Sequence, residues 1–176
     1  MNRAVFLDRD GTLIEDRGHL RDPAEVVFFP DTMDALSRLG EFLLFIVTHQ
    51  PGVARGLLTE ADVRRVNDHT VAALAASGIT IRDIYVCPHG REDGCSCIKP
   101  RPYFLRAAAR DYDLDLERSF VVGDHPHDVE LAHGVGATGL YVLTGHGAKH
   151  LSELGTESAV VVSGIAEAAR YILEGR

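Results

Sequence analysis

Six consecutive apolar residues, Phe42-Leu43-Leu44-Phe45-Ile46-Val47, constrain this chain more than any other stretch. The run is rich in residues that favour strands and has no polar alternation, so it predicts a strand buried on both faces and ending at Thr48. Such a strand needs helices above and below it. Shorter apolar runs recur at Ala4 to Leu7, Ile84 to Cys87, Phe120 to Val122, Leu140 to Leu143 and Val160 to Val162. Helical patterns lie between them. The first opens at Pro30-Asp31, with Asp31 as its cap, Asp34 in the first turn, Met33, Leu36 and Leu39 inward, and Gly40 at the end. The second starts at the Thr59-x-x-Asp62 signal and turns Val63, Val66, Thr70, Leu74 and Ala75 inward as far as Gly78. Others are expected from Pro102 through Phe104, Leu105, Ala108 and Ala109, from Asp128 to Val135, and from Ala166 to Leu173.

Strands alternating with helices imply an α/β fold: a Rossmann-like, mostly parallel sheet with helices on both faces and ligands at the carboxyl ends of the strands. With 176 residues and 45% hydrophobic content, one compact domain spanning 1–176 is expected. Gly11 to Pro30 lacks a sustained period and contains Gly18 and Pro23, which suggests a flap or hairpin at the edge of a site. No interval after Asp10, or between Thr48 and Lys99, is long enough for a large cap domain.

The ends of the predicted strands carry the chemistry. Phe6-Leu7-Asp8-Arg9-Asp10-Gly11-Thr12 sets two carboxylates one residue apart where the first strand must turn. Like charges that close call for a cation, and magnesium suits them because it takes oxygen ligands and shares them with water and phosphate. One carboxylate can then attack phosphorus while the other exchanges a proton with the leaving oxygen and later with water. Thr48 supplies a hydroxyl, Lys99 a fixed cation, and Gly123-Asp124-His125-Pro126-His127-Asp128 two further acids.

All three cysteines fall between positions 87 and 97. Cys87-Pro88-His89, followed by Cys95-Ser96-Cys97, offers three thiolates and an imidazole, the donor set of a closed tetrahedral zinc shell. Four protein ligands leave no open position, so this zinc is expected to be structural and to fold a loop without a core of its own. Loss of Cys95 or of the metal should then misplace Lys99.

A formal charge of −8 excludes a general nucleic-acid binder. No apolar run approaches the about 18 residues of a membrane span, and the chain reaches its first strand too soon for a cleavable signal, so a cytoplasmic location is expected. His127, His133, His146 and His150 show no ligand spacing and are read as solvated surface histidines. With so little insertion, a monomer is the expectation.

Taken in order, Asp-x-Asp-Gly-Thr, a strand-terminal Thr, Lys, and Gly-Asp-x-x-x-Asp resemble the haloacid dehalogenase-like phosphohydrolase superfamily across nearly the whole chain. The Cys-x-His and Cys-x-Cys pairs ahead of Lys99-Pro100 resemble its subclass IIIA phosphatases, which include the heptose bisphosphate and histidinol-phosphate phosphatases. Thr48-His49-Gln50-Pro51-Gly52-Val53-Ala54-Arg55-Gly56 and Leu143-Thr144-Gly145 look more like the heptose group, with histidinol phosphate as the rival substrate. The resemblance implies a small phosphorylated metabolite, with Asp8 as nucleophile and Asp10 as acid/base. It implies Asp8, Asp124 and the Asp10 carbonyl as magnesium ligands, and Thr48 and Lys99 as stabilisers of the transferring group. It makes Asp128 a supporting residue that orients Lys99 or metal-bound water. Asp16, Arg17, Gly18, His19, Thr48, His49, Gln50, Ile98 and Lys99 match substrate-contacting positions. Ile98 stands where these families commonly carry Arg, and Arg101 is the candidate to replace that guanidinium. Pro51 and His125 also depart from the usual Ser and Lys, and His49 from Asn. A non-catalytic zinc-stabilised scaffold would be expected to have lost a catalytic carboxylate, yet Asp8, Asp10, Lys99 and Asp124 are all present.

Overall fold

The structure is a computed structural model and describes residues 1–155 and 159–175. Six strands form one parallel sheet: β1 (Ala4–Leu7), β2 (Leu43–His49), β3 (Ile81–Cys87), β4 (Phe120–Gly123), β5 (Thr138–Val142) and β6 (Val160–Val162). Their spatial order is β3-β2-β1-β4-β5-β6. The order reverses between β1 and β4, which opens a crevice beyond the carboxyl ends of those two strands.

The central strands divide their side chains between two cores. Val5, Leu7, Leu44, Ile46, Val122 and Leu140 face α1 (Thr32–Ser37), α2 (Glu60–Ala76) and α6 (Ile165–Glu174). Ala4, Phe6, Phe45, Val47 and Val121 face α3 (Tyr103–Tyr112) and α4 (Pro126–His133). This alternation is the two-sided burial that the Phe42–Val47 run predicts. Phe45 stacks on Phe6 with ring centroids 5.2 Å apart, and burying one such ring contributes about 2–3 kcal/mol.

Local signals are realised unevenly. Thr59 and Asp62 form the reciprocal capping box that the spacing predicts. Asp31 occupies the N-cap of α1, but its side chain caps no backbone N–H. Val63, Val66, Thr70 and Leu74 are buried on α2, whereas Ala75 is exposed because the helix turns that residue off the sheet near its end. The helix α4 begins two residues earlier than Asp128, at Pro126, a residue suited to a first turn. The 11–30 segment forms no hairpin ladder. It makes single bridges from Ile14 to Asp10 and Phe28, and a 3-10 turn at Pro23–Glu25. Leu13, Ile14 and Leu20 anchor it in the core, so it is fastened to the sheet rather than hinged as a flap. Among the described residues no insertion forms a large cap over the strand ends, and no helix is long and apolar enough to cross a membrane.

Candidate active site

Asp8 lies just past β1 and Asp124 just past β4, on the two sides of the crevice. Oxygens of Asp8, Asp124 and Asp128 lie within 4.8 Å of one another. Lys99 reaches into this group, with Nζ 2.7 Å from Asp8 Oδ1 and 2.7 Å from Asp128 Oδ1. Gly11 makes the convergence possible. Its φ is +86°, and a Cβ there would overlap the Asp124 carboxylate, so both conformation and space require glycine. Thr144 Oγ1 donates to the Gly11 carbonyl at 2.7 Å, and the His146 backbone N–H donates to Asp124 Oδ2 at 2.8 Å. The loop after β5 thereby braces the Gly11 turn and Asp124.

Burial dominates the protonation of this group. Asp124 is pushed up to about 8, first by desolvation and then by the Asp8 charge. Asp128 is raised to about 6 by burial, despite the Lys99 ammonium beside it. Lys99 stays protonated: Asp128 and Asp8 hold its affinity for the proton above the ordinary value against the penalty of burial. Three crowded carboxylates opposite one ammonium leave negative charge that a divalent cation would neutralise.

Asp10 has a different environment. The buried Arg9 donates to it through Nε at 3.0 Å and through its terminal nitrogen at 3.1 Å, while Gln50 Nε2 donates to Oδ2 at 2.9 Å. Arg9 is itself held by Asn67 Oδ1 at 2.7 Å. Desolvation nevertheless raises the Asp10 carboxyl above its ordinary value, against the Arg9 charge. Gln50 also donates to Thr48 Oγ1 at 2.9 Å, linking the end of β2 to Asp10.

The acids, Lys99, Thr48 and Gln50, but not Arg9 or Asn67 behind them, line a cleft of about 350 Å³ that also takes in Asp16, Gly18, His19, His49 and Pro51. Arg17 does not line it, because its guanidinium pairs with Glu15 at 2.9 Å. Ile98 is buried and outside the lining. Arg101 is also outside: its guanidinium donates to the carbonyls of Gly94 and Cys95, bracing the cysteine loop from the far side. The guanidinium that does line the cleft is Arg91, which donates to His127 Nδ1 at 2.9 Å. His146 is exposed, as expected of a surface histidine, although it borders the cleft. His127, which also lines the cleft, and His150, which stands beside His125, are half-buried, so the expectation of solvated surface histidines is corrected for those two.

The cysteine loop brings Cys87, His89, Cys95 and Cys97 to one point. Cys87 Sγ lies 3.7 Å from Cys95 Sγ and 3.3 Å from Cys97 Sγ, and His89 Nδ1 lies 3.3 Å from Cys97 Sγ. Sulfurs of a tetrahedral zinc site are separated by about 3.8 Å, so the donor set could bind zinc. Burial pushes the Cys87 thiol up, and a metal would reverse this by holding the thiolate. His49 Nε2 meets the His89 carbonyl at 2.7 Å, and the Gln50 N–H donates to the Cys87 carbonyl at 2.8 Å. The loop therefore supports the Thr48-to-Gln50 wall as well as Lys99.

Sequence reasoning missed Arg9, Asn67 and Arg91. Arg9 stands between the two acids of the motif, and that position was the one local signal for it. Asn67 and Arg91 reach their partners only through the tertiary fold.

An acid pair on one strand end, a hydroxyl on the next, a lysine and a further acid across the switch point define a haloacid dehalogenase-like hydrolase. The HAD-hydrolase-like family model matches residues 96–168. The chain is 35% identical over 176 residues to the D-glycero-beta-D-manno-heptose-1,7-bisphosphate 7-phosphatase of Bordetella bronchiseptica, covering 98% of each. It is 33% identical over 174 residues to the enzyme of that name from Pseudomonas putida, covering 97% of this chain and 99% of the relative. The crystal structure of the B. bronchiseptica D,D-heptose 1,7-bisphosphate phosphatase complexed with magnesium and phosphate superimposes with a TM-score of 0.90, covering 99% of each chain. This chain belongs to the family of D-glycero-beta-D-manno-heptose-1,7-bisphosphate 7-phosphatases.

Proposed function

We propose that this chain is a magnesium-dependent phosphomonoesterase that removes one phosphate from a heptose bisphosphate. The observation that carries this reading is the meeting of Asp8, Asp124 and Asp128 oxygens within 4.8 Å, with Lys99 paired to Asp8 and Asp128. The magnesium and phosphate of the Bordetella structure support the choice of ion. Asp8, Asp124 and the main-chain carbonyl of Asp10 would hold it, since the Asp10 carboxylate is committed to Arg9 and Gln50. Bound there, magnesium would draw charge from the phosphoryl oxygens.

Asp8 attacks phosphorus, and the bond to the sugar oxygen breaks. Asp10, whose hold on a proton burial strengthens against the Arg9 charge, serves as the acid that protonates that oxygen. Water then attacks the aspartyl-phosphate at phosphorus and returns a proton to Asp10, which releases phosphate and regenerates Asp8. Thr48 and Lys99 stabilise the charge on the equatorial oxygens, and Asp128 aims Lys99.

Asp16, Gly18, His19, His49 and Gln50 form the substrate wall. Arg91 takes the place of the missing arginine before Lys99 and grips the second phosphate. Zinc on Cys87, His89, Cys95 and Cys97 fixes the loop that presents Arg91 and Lys99. All the groups the cleft needs come from one chain, which supports a monomeric, single-domain enzyme. Clustered free thiols suit a cytoplasmic setting.

The test is phosphate release, with magnesium and with excess chelator, from heptose 1,7-bisphosphate, histidinol phosphate and other sugar phosphates. The highest kcat/KM is expected for the heptose bisphosphate, with no turnover after magnesium removal. Equal or faster hydrolysis of histidinol phosphate would overturn the substrate assignment while leaving the reaction intact.

A further inference from the structure

A second set of metal-ligating side chains stands at the rim of the cleft, which only its first member, His125, lines. His125 follows Asp124 in the loop before α4. His150 ends the short helix α5 (Gly147–His150), and Glu153 lies in the 3-10 turn Leu151–Glu153 that continues it. One ligand atom from each lies within 4.8 Å of the others. His150 and Glu153, three residues apart, already meet, with Nδ1 2.7 Å from Oε1. The His125 and His150 rings face each other at a centroid distance of 5.0 Å.

We propose that His125, His150 and Glu153 form a site for a zinc-class divalent ion, distinct from both the carboxylate cluster and the cysteine loop. Two imidazoles and one carboxylate are a donor set that selects zinc, cobalt or nickel over magnesium, and they leave coordination positions open. Ligand atoms around such an ion sit about 3.4 Å apart, so small side-chain rotations close the site. The His127 ring lies tilted against His125 at 4.6 Å and His146 stacks on His150 at 6.1 Å, which limits how far the two ligands can swing away. The charges nearby are mixed: Arg91 reaches His127, while Asp16 lies 3.4 Å from His146. An ion here fastens α5 and its following turn to the loop that carries Asp124, and so stiffens one rim of the cleft.

The inference is tested on protein carrying one equivalent of zinc, which the three-thiolate loop takes, in excess magnesium, by titration with cobalt(II) followed by absorption and calorimetry. Wild type is expected to bind one further equivalent. His150→Ala is expected to lose it, and Glu153→Gln to bind at least about tenfold more weakly. Both variants should keep magnesium-dependent hydrolysis and a native circular dichroism spectrum, since neither side chain lines the cleft. Absence of the extra equivalent in wild type, or equal binding by wild type and both variants, would overturn the site.

Discussion

The carboxylate cluster and the cysteine loop both gather four side chains at a point, but different forces hold them. Asp8 and Asp124 ride on strands whose neighbours are fully buried, and Asp128 sits in the first turn of a helix packed on the sheet. The cysteine loop, in contrast, follows the edge strand β3 and contributes only Cys87 and Ile98 to the buried set. A site built on a packed sheet can tolerate crowded like charges, because hydrophobic burial pays for them. A site without a core needs the bond energy of a metal to exist at all.

The sharpest way to break this contrast is to change one member of each cluster. Asp8→Asn should reduce kcat by about 10⁴-fold, as loss of a nucleophile does, while the melting temperature stays the same or rises because one crowded charge is gone. A clear fall in melting temperature would show that the cluster holds the fold together. Zinc removal, or Cys95→Ser, should act in the reverse sense. Amide exchange should accelerate across residues 87–98 with the sheet still protected, and kcat should fall about 10–100-fold as Lys99 loses its support. Hydrogen-exchange mass spectrometry checks this, and unchanged loop protection would remove the metal from the account.

A smaller effect separates binding from chemistry. Arg91→Ala should raise KM for a bisphosphate about 10–100-fold, the value of a charge-assisted contact, and leave a monophosphate unaffected. The least of these effects is on stability. Asp124 and Asp128 bind protons more tightly folded than unfolded, so metal-free protein should lose stability as pH rises from about 4 to about 8. Lys99, raised above its ordinary range, does not titrate there. Magnesium should flatten the slope in a thermal-melt series, and a slope insensitive to magnesium would place the ion elsewhere.

What could be read from the amino-acid order follows the same division. The strands, the Thr59–Asp62 cap and the acids at strand ends were legible, because each depends on neighbours a few residues away. The helix cap at Asp31 and the burial of Ala75 were misread, since tertiary placement decided them. Arg9 passed unnoticed because nothing local shows that its guanidinium is buried against Asp10 and Asn67. Arg101 was a reasonable substitute for a missing arginine by position, but its backbone direction sends it to the loop carbonyls, and Arg91 occupies the cleft. The spacing of the histidines along the chain shows no ligand pattern. Residues 125, 127, 146 and 150 come together only because β4 and β5 are adjacent.

The account rests on Asp8 as a covalent nucleophile, and trapping the intermediate tests that most directly. Enzyme mixed with the heptose bisphosphate and magnesium, quenched in acid within the first turnover and digested, should carry a phosphoryl group on the peptide containing Asp8, and Asp8→Asn should carry none. Rapid phosphate release with no phosphoryl-enzyme at any time, together with turnover retained in Asp8→Asn, would contradict it.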